Sequence, residues 1–334
     1  MTRNFVINES FRPPALLRGP HVQSILSSTG PRKLKVRRMN QALLAASRDM
    51  ILDCGDGVRL LGHYAPAPIP EPRGLVTLIH GWEGSGESNY MLSVSGHAFR
   101  HGYSVFRLNL RDHGPSHHLN RELFNSTRLS EVLGAMEAIQ SALPYARNYL
   151  VGFSLGGNFS LRVGAAMSGR HFRLDRIIAV CPVICPAGTM ESLEQGSRLY
   201  HDYFVHKWKR SLSRKLEHFP EYDFHNHLAR MKSLREMNHY FVPNYTGYED
   251  PATYFEAYSI AGDRLQHLGA PAHIITSADD PVVLARDLEL IHKPPLLTIE
   301  VTRFGGHCGF IENLKLDSWI DRRILQLLED GEAT

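Results

Sequence analysis

The chain has little of several things. Its 334 residues include only four cysteines, Cys54, Cys181, Cys185 and Cys308, with no Cys-x-x-Cys pair among them. That excludes a disulfide-stapled scaffold and fits a reducing compartment. No apolar run is long enough to span a bilayer; the longest, around Ile177 to Met190, is broken by Pro182 and Pro186. The opening stretch MTRNFVINESFRPP has no apolar h-region, so no secretory signal is expected and a cytoplasmic location is. Charge of either sign is nearly balanced, with 37 Lys and Arg against 34 Asp and Glu, which argues against a nucleic-acid partner. The basic run Arg32 to Arg38 reads as a solvated surface segment. Repeats and low-complexity tracts are absent, and 43% hydrophobic against 21% charged residues excludes a disordered chain.

What is present is alternation of β-rich runs with helical patterns, the signature of βαβ units and a mostly parallel sheet flanked by helices. Expected strands are Ser47 to Leu52, Val58 to Tyr64, Gly74 to His80, Tyr103 to Leu110, Asn148 to Phe153, Arg176 to Ile184, Ala272 to Thr276 and Leu296 to Phe304. The first two flank Asp56-Gly57, a hairpin signal. Helices are expected over Ser88 to Arg100, Leu129 to Leu143, from near Gly156, and over Asn313 to Leu328. The pattern changes between 185 and 259, which is aromatic, basic and His-rich with helical spacing. The organisation is therefore read as an N-terminal extension (1–46) packing on an α/β core (47–184 and 260–334), with a helical cap inserted at 185–259.

Four motifs sit at the ends of these strands. Gly152-Phe153-Ser154-Leu155-Gly156 follows a strand and opens a helix, the setting in which a strained turn projects a nucleophilic serine hydroxyl. His80-Gly81-Trp82-Glu83-Gly84-Ser85 follows an upstream strand, so the backbone N–H groups of Trp82 and Leu155 are the expected oxyanion donors. Asp279-Asp280-Pro281 follows another strand; either aspartate could orient an imidazole, and Asp280 is preferred. Gly305-Gly306-His307-Cys308-Gly309 places a histidine in a loop after the last strand. Ser154, Asp280 and His307 then act as nucleophile, orienting acid and base. Cys308 reads as a small buried thiol. Of the 19 histidines, His113, His117 and His118 invite a metal reading, but no ligand spacing is clean, and neither a metal nor a cofactor is expected.

Leu17-Arg18-Gly19-Pro20-His21-Val22-Gln23-Ser24-Ile25-Leu26, His80 to Ser85, Asn109 to Gly114 and Gly152 to Asn158 together resemble the YheT-like branch of the α/β hydrolases, the AB hydrolase-4 family, from about Phe11 to Leu328. The resemblance implies an α/β-hydrolase fold and carboxylesterase or lipase-type activity on acyl esters, with Ser154, Asp280 and His307 matching the family's triad. Trp82 stands where leucine or another apolar residue is usual, so the wall of the acyl pocket is expected to differ. The substrate expected is a small acyl ester, with lipids among the candidates. The cap's aromatics, such as Phe204 and Trp208, are read as pocket-lining. Its Lys and Arg residues are read as solvated, with peripheral membrane contact the alternative. An acyltransferase on the same residues and a catalytically silent binding protein are the competing functions. Oligomeric state is left open.

Overall fold

The computed structural model describes residues 5–330; residues 1–4 and 331–334, the extreme ends of the extension and core bounded above, lie outside them. One nine-stranded sheet is built from β1 (Val6–Asn8), β2 (Arg48–Asp53), β3 (Arg59–Ala65), β4 (Leu75–Ile79), β5 (Ser104–Leu108), β6 (Asn148–Phe153), β7 (Arg176–Val180), β8 (Ala272–Ser277) and β9 (Leu297–Thr302). The spatial order is β1-β9-β8-β7-β6-β4-β5-β3-β2. Neighbours run parallel except β2 with β3 and β3 with β5. Asp53 pairs with Arg59 across the hairpin, and Gly55, Asp56 and Gly57 between them take positive φ, as tight hairpin connections demand.

Helices cover both faces: α1 (Pro20–Ser28), α2 (Gly30–Met39), α3 (Gln41–Ala46), α4 (Asn89–Arg100), α5 (Leu129–Ala142), α6 (Leu155–Ala165) and, last in the chain, α12 (Trp319–Asp330). The two-residue period of the strands sorts side chains between two cores. In β4, Leu75 and Ile79 join Val132, Met136 and Phe159 of α5 and α6, while Val76 and Leu78 join Met91, Val94, Ile324 and Leu328 of α4 and α12. Between β7 and β8 the chain forms α7 (Pro186–Gln195), α8 (Arg198–His218), α9 (His225–Arg230), α10 (Leu234–Tyr245) and α11 (Pro251–Ala257). These helices bury a small core of their own around Leu212, Phe224, Met237 and Phe241. Among the described residues, no helix is long and apolar enough to cross a membrane.

Several local expectations shift. β7 ends at Val180 rather than Ile184, because Cys181 turns to φ 46° and Pro182 follows. α12 begins at Trp319 rather than Asn313, since Asn313 Oδ1 accepts the Asp317 N–H at 3.2 Å and closes a turn instead. Strand β1 is too short to announce itself and exists only by parallel pairing with β9. The basic run is not wholly solvated: it forms α2 with Arg32 buried, its guanidinium donating to Ser93 Oγ at 3.1 Å and to the Leu316 carbonyl.

Candidate active site

The site is assembled at the C-terminal edge of the sheet, where loops after β4, β6, β8 and β9 converge. Ser154 follows β6 and precedes α6 with φ 53° and ψ −118°, a conformation rare for a residue with a side chain. Two glycines permit it. A Cβ at Gly152 would lie 2.2 Å from the Gly156 carbonyl oxygen, and one at Gly156 2.3 Å from that of Ile79.

His307 joins this serine to an aspartate. Its Nδ1 lies 2.8 Å from Asp280 Oδ2, and its Nε2 lies 3.0 Å from Ser154 Oγ. A carboxylate oxygen accepts from Nδ1, so in the neutral imidazole Nε2 offers its lone pair to the serine hydroxyl. Of the two aspartates, Asp280 faces the imidazole and also accepts the Val282 and Val283 N–H groups. Asp279 instead accepts the Gly306 N–H at 2.9 Å, bracing the loop just before His307. Burial disfavours the charged imidazole, but the Asp280 carboxylate, the Cys308 side chain and the hydrogen bond to Asp280 outweigh it and lift His307 to about 9.

The loop after β4 leaves one donor open. Gly81 N–H donates to the Tyr90 hydroxyl, Glu83 N–H to His113 Nε2, Gly84 N–H to the Gly81 carbonyl, Ser85 N–H to Ser88 Oγ and Gly86 N–H to Asn109 Oδ1. Among the described residues, only the Trp82 N–H in this run lacks a protein acceptor. Leu155, the first residue of α6, likewise has no carbonyl one turn back to bond. His80 is buried and bonds locally, to the Gly81 carbonyl through Nδ1 and from the Leu110 N–H through Nε2. His113 Nδ1 donates to the Arg111 carbonyl, and burial holds this imidazole near 4, so it is neutral and free to accept from Glu83. Glu83 itself is pushed up to about 8, mainly by burial, with Lys207 opposing.

Residues outside the four motifs hold the histidine loop. Ser24 Oγ in α1 accepts the His307 N–H at 2.8 Å. Gln23 accepts the Ile311 N–H and donates to the Leu17 and Ile311 carbonyls. Sequence reading marks this segment without giving it a role, because the contacts span more than 280 residues of chain. The helices of 186–257 are tied on similarly. Asn158 Nδ2 donates to the Val183 and Tyr258 carbonyls at the two ends of that segment, and buried Lys215 meets buried Asp112 at 2.8 Å.

Ser154 lies between two cavities. A small apolar one of about 90 Å³ runs behind it, bounded by Leu155, Val183, Met190, Leu193, Phe204 and Tyr258. A larger one of about 550 Å³ opens in front, bounded by Ser24, Lys33, Tyr90, Tyr203, Lys207 and His307. Trp82 stands between them, stacked on Phe204 with centroids 5.2 Å apart and edge-on to Trp208 at 5.3 Å.

Residues 74–314, most of the chain, match the family described as the alpha/beta hydrolase fold. The chain belongs to the α/β hydrolases and is a YheT-like member of them. It is 28% identical over 314 residues to YheT of Escherichia coli strain K12, provisionally named an esterase, covering 91% of this chain and 88% of that one. It is 22% identical over 270 residues to the human phospholipase ABHD3, covering 77% of this chain and 64% of that one. Among solved structures, the Pyrococcus furiosus esterase Pf2001 superposes with a TM-score of 0.58 at 15% identity, over 97% of this chain and 98% of that one, a likeness of fold.

Proposed function

We propose that the protein hydrolyses carboxylic esters through an acyl-enzyme intermediate on Ser154. Esterase or lipase stands in the names of several relatives. The observation that carries the finer reading is the row Asp280–His307–Ser154, with the imidazole within hydrogen-bond reach of both partners. His307 Nε2 takes the proton as Ser154 Oγ adds to the ester carbonyl. Asp280 stabilises the resulting imidazolium, and the Trp82 and Leu155 N–H groups receive the developing oxyanion. The tetrahedral adduct expels the alcohol, which takes the proton from His307 and leaves an acyl-Ser154. A water activated by the same imidazole then releases the acid. Beyond the ester and water, each step uses only groups of this chain.

The acyl group is assigned to the small apolar cavity, whose roughly 90 Å³ is below the ~150 Å³ of a cavity that holds benzene. Short acyl chains therefore fit, and the alcohol part faces the larger cavity. The test is a chain-length series of nitrophenyl esters with wild type and Ser154→Ala. Wild type should favour short acyl groups and the variant should be inactive. Equal turnover by both proteins would overturn the assignment.

A further inference from the structure

Cys181 and Cys308 stand 127 positions apart and form no sequence motif, yet the fold brings them together beside the imidazole. Cys181 directly follows β7 and Cys308 follows His307; both thiols are free and buried. The Cys308 N–H points at Cys181 Sγ at 3.4 Å. One donor atom from each of Cys181, His307 and Cys308 can be chosen so that all three lie within 4.8 Å of one another. His307 and Cys308 also line the larger cavity, which gives an ion a path from solvent.

We propose that Cys181, Cys308 and His307 form a site for a soft divalent cation, zinc above all, and that its occupation switches hydrolysis off. Two thiolates and an imidazole are the donor set zinc prefers. Tetrahedral zinc would need the sulfurs about 3.8 Å apart and each about 3.5 Å from nitrogen, so the donors, now within 4.8 Å of one another, close by about 1.3 Å at most. The cavity side supplies the fourth position. The two thiol protons pass to solvent on binding, so two thiolates balance the dication. Whichever ring nitrogen is taken, the imidazole leaves the catalytic row. At Nε2 the ion removes the lone pair meant for Ser154, and at Nδ1 it displaces Asp280.

The inhibitory half rests on the hydrolytic reading above; the binding half does not. The experiment therefore has two readouts on the metal-free full chain: a cobalt(II) titration followed by absorption spectroscopy, and ester hydrolysis during zinc titration with reversal by EDTA. Wild type should bind one cobalt with intense thiolate-to-metal charge-transfer bands, and zinc should stop hydrolysis reversibly. Cys181→Ala should keep hydrolysis, lose those bands and tolerate at least about tenfold more zinc, as expected for a weakened ligand shell. The nearly isosteric Cys308→Ser should tolerate zinc likewise, which covers the case in which Cys181→Ala fails to fold. Absence of thiolate bands in wild type, or equal zinc sensitivity of all three proteins, overturns the proposal. Cobalt bands in a protein that hydrolyses no ester would support the site while refuting the hydrolytic reading.

Discussion

Glu83, Asp112, Ser154, Cys181, Cys308 and Phe310 all take positive φ, and all lie on loops at the C-terminal edge of the sheet. Among the described residues, no non-glycine residue from Pro186 to Ala257 does so. Each such conformation costs on the order of 1–3 kcal/mol and persists only where its surroundings over-determine it. The sheet side supplies that with a dense mesh of hydrogen bonds to Tyr90, His113, Asn109, Ser24 and Gln23. The helices facing it are held by stacked rings such as Trp82 on Phe204 and by a buried ion pair. The two regions thus divide the task. On the proposed hydrolytic reading, the sheet edge fixes the reacting groups before any substrate arrives, and the helices shape the space around them.

The largest effects should fall on the sheet edge. Ser154→Ala and His307→Ala should each lower kcat by about 10⁴–10⁶, and the double variant should be little worse than either. Asp280→Asn should cost about 10⁴ in kcat, as when an orienting acid is lost. Asp279→Asn should cost far less, since that carboxylate braces the loop through the Gly306 N–H and does not face the imidazole. Near-equal losses at the two positions, measured by steady-state kinetics, would erase the distinction drawn between them.

On the helical side the effects should appear as stability and selectivity. Lys215→Met leaves the Asp112 carboxylate buried without its partner and should destabilise the fold by about 3–5 kcal/mol, read by denaturant unfolding. Phe204→Ala should enlarge the acyl cavity and shift the chain-length optimum upward with kcat for short esters largely kept. A collapse of kcat for every chain length would show that the helices help to fix the reacting groups after all.

The smallest effect is on pH dependence, in chelated buffer. The base must be neutral, so kcat/KM should rise with pH through the titration of His307, near 9. Stability has the opposite sign. The raised imidazole stabilises the fold fully below about 6.5, and that contribution disappears as pH rises through about 9.

Much of the sheet was legible because buried parallel strands read as continuous apolar runs and glycines mark the turns that leave them. The row of Ser154, Asp280 and His307 was legible because each sits just past a strand end, where this topology gathers its loops. What remained hidden acts across distance. Gln23 and Ser24 look like ordinary helix residues until the loop after β9 folds against them. The burial of Arg32 depends on Ser93 and Leu316, from elements far away in the chain. Helical periodicity in 185–259 indicates amphipathic helices, but not that Phe204 would meet Trp82 beside the nucleophile.

One measurement bears most directly on Ser154 as the nucleophile: intact-protein and peptide mass spectrometry after treatment with a fluorophosphonate. A single phosphonyl adduct should form on wild type and map to Ser154, and Ser154→Ala should stay unmodified under the same conditions. Labelling of both proteins, or an adduct on another residue, would contradict the account.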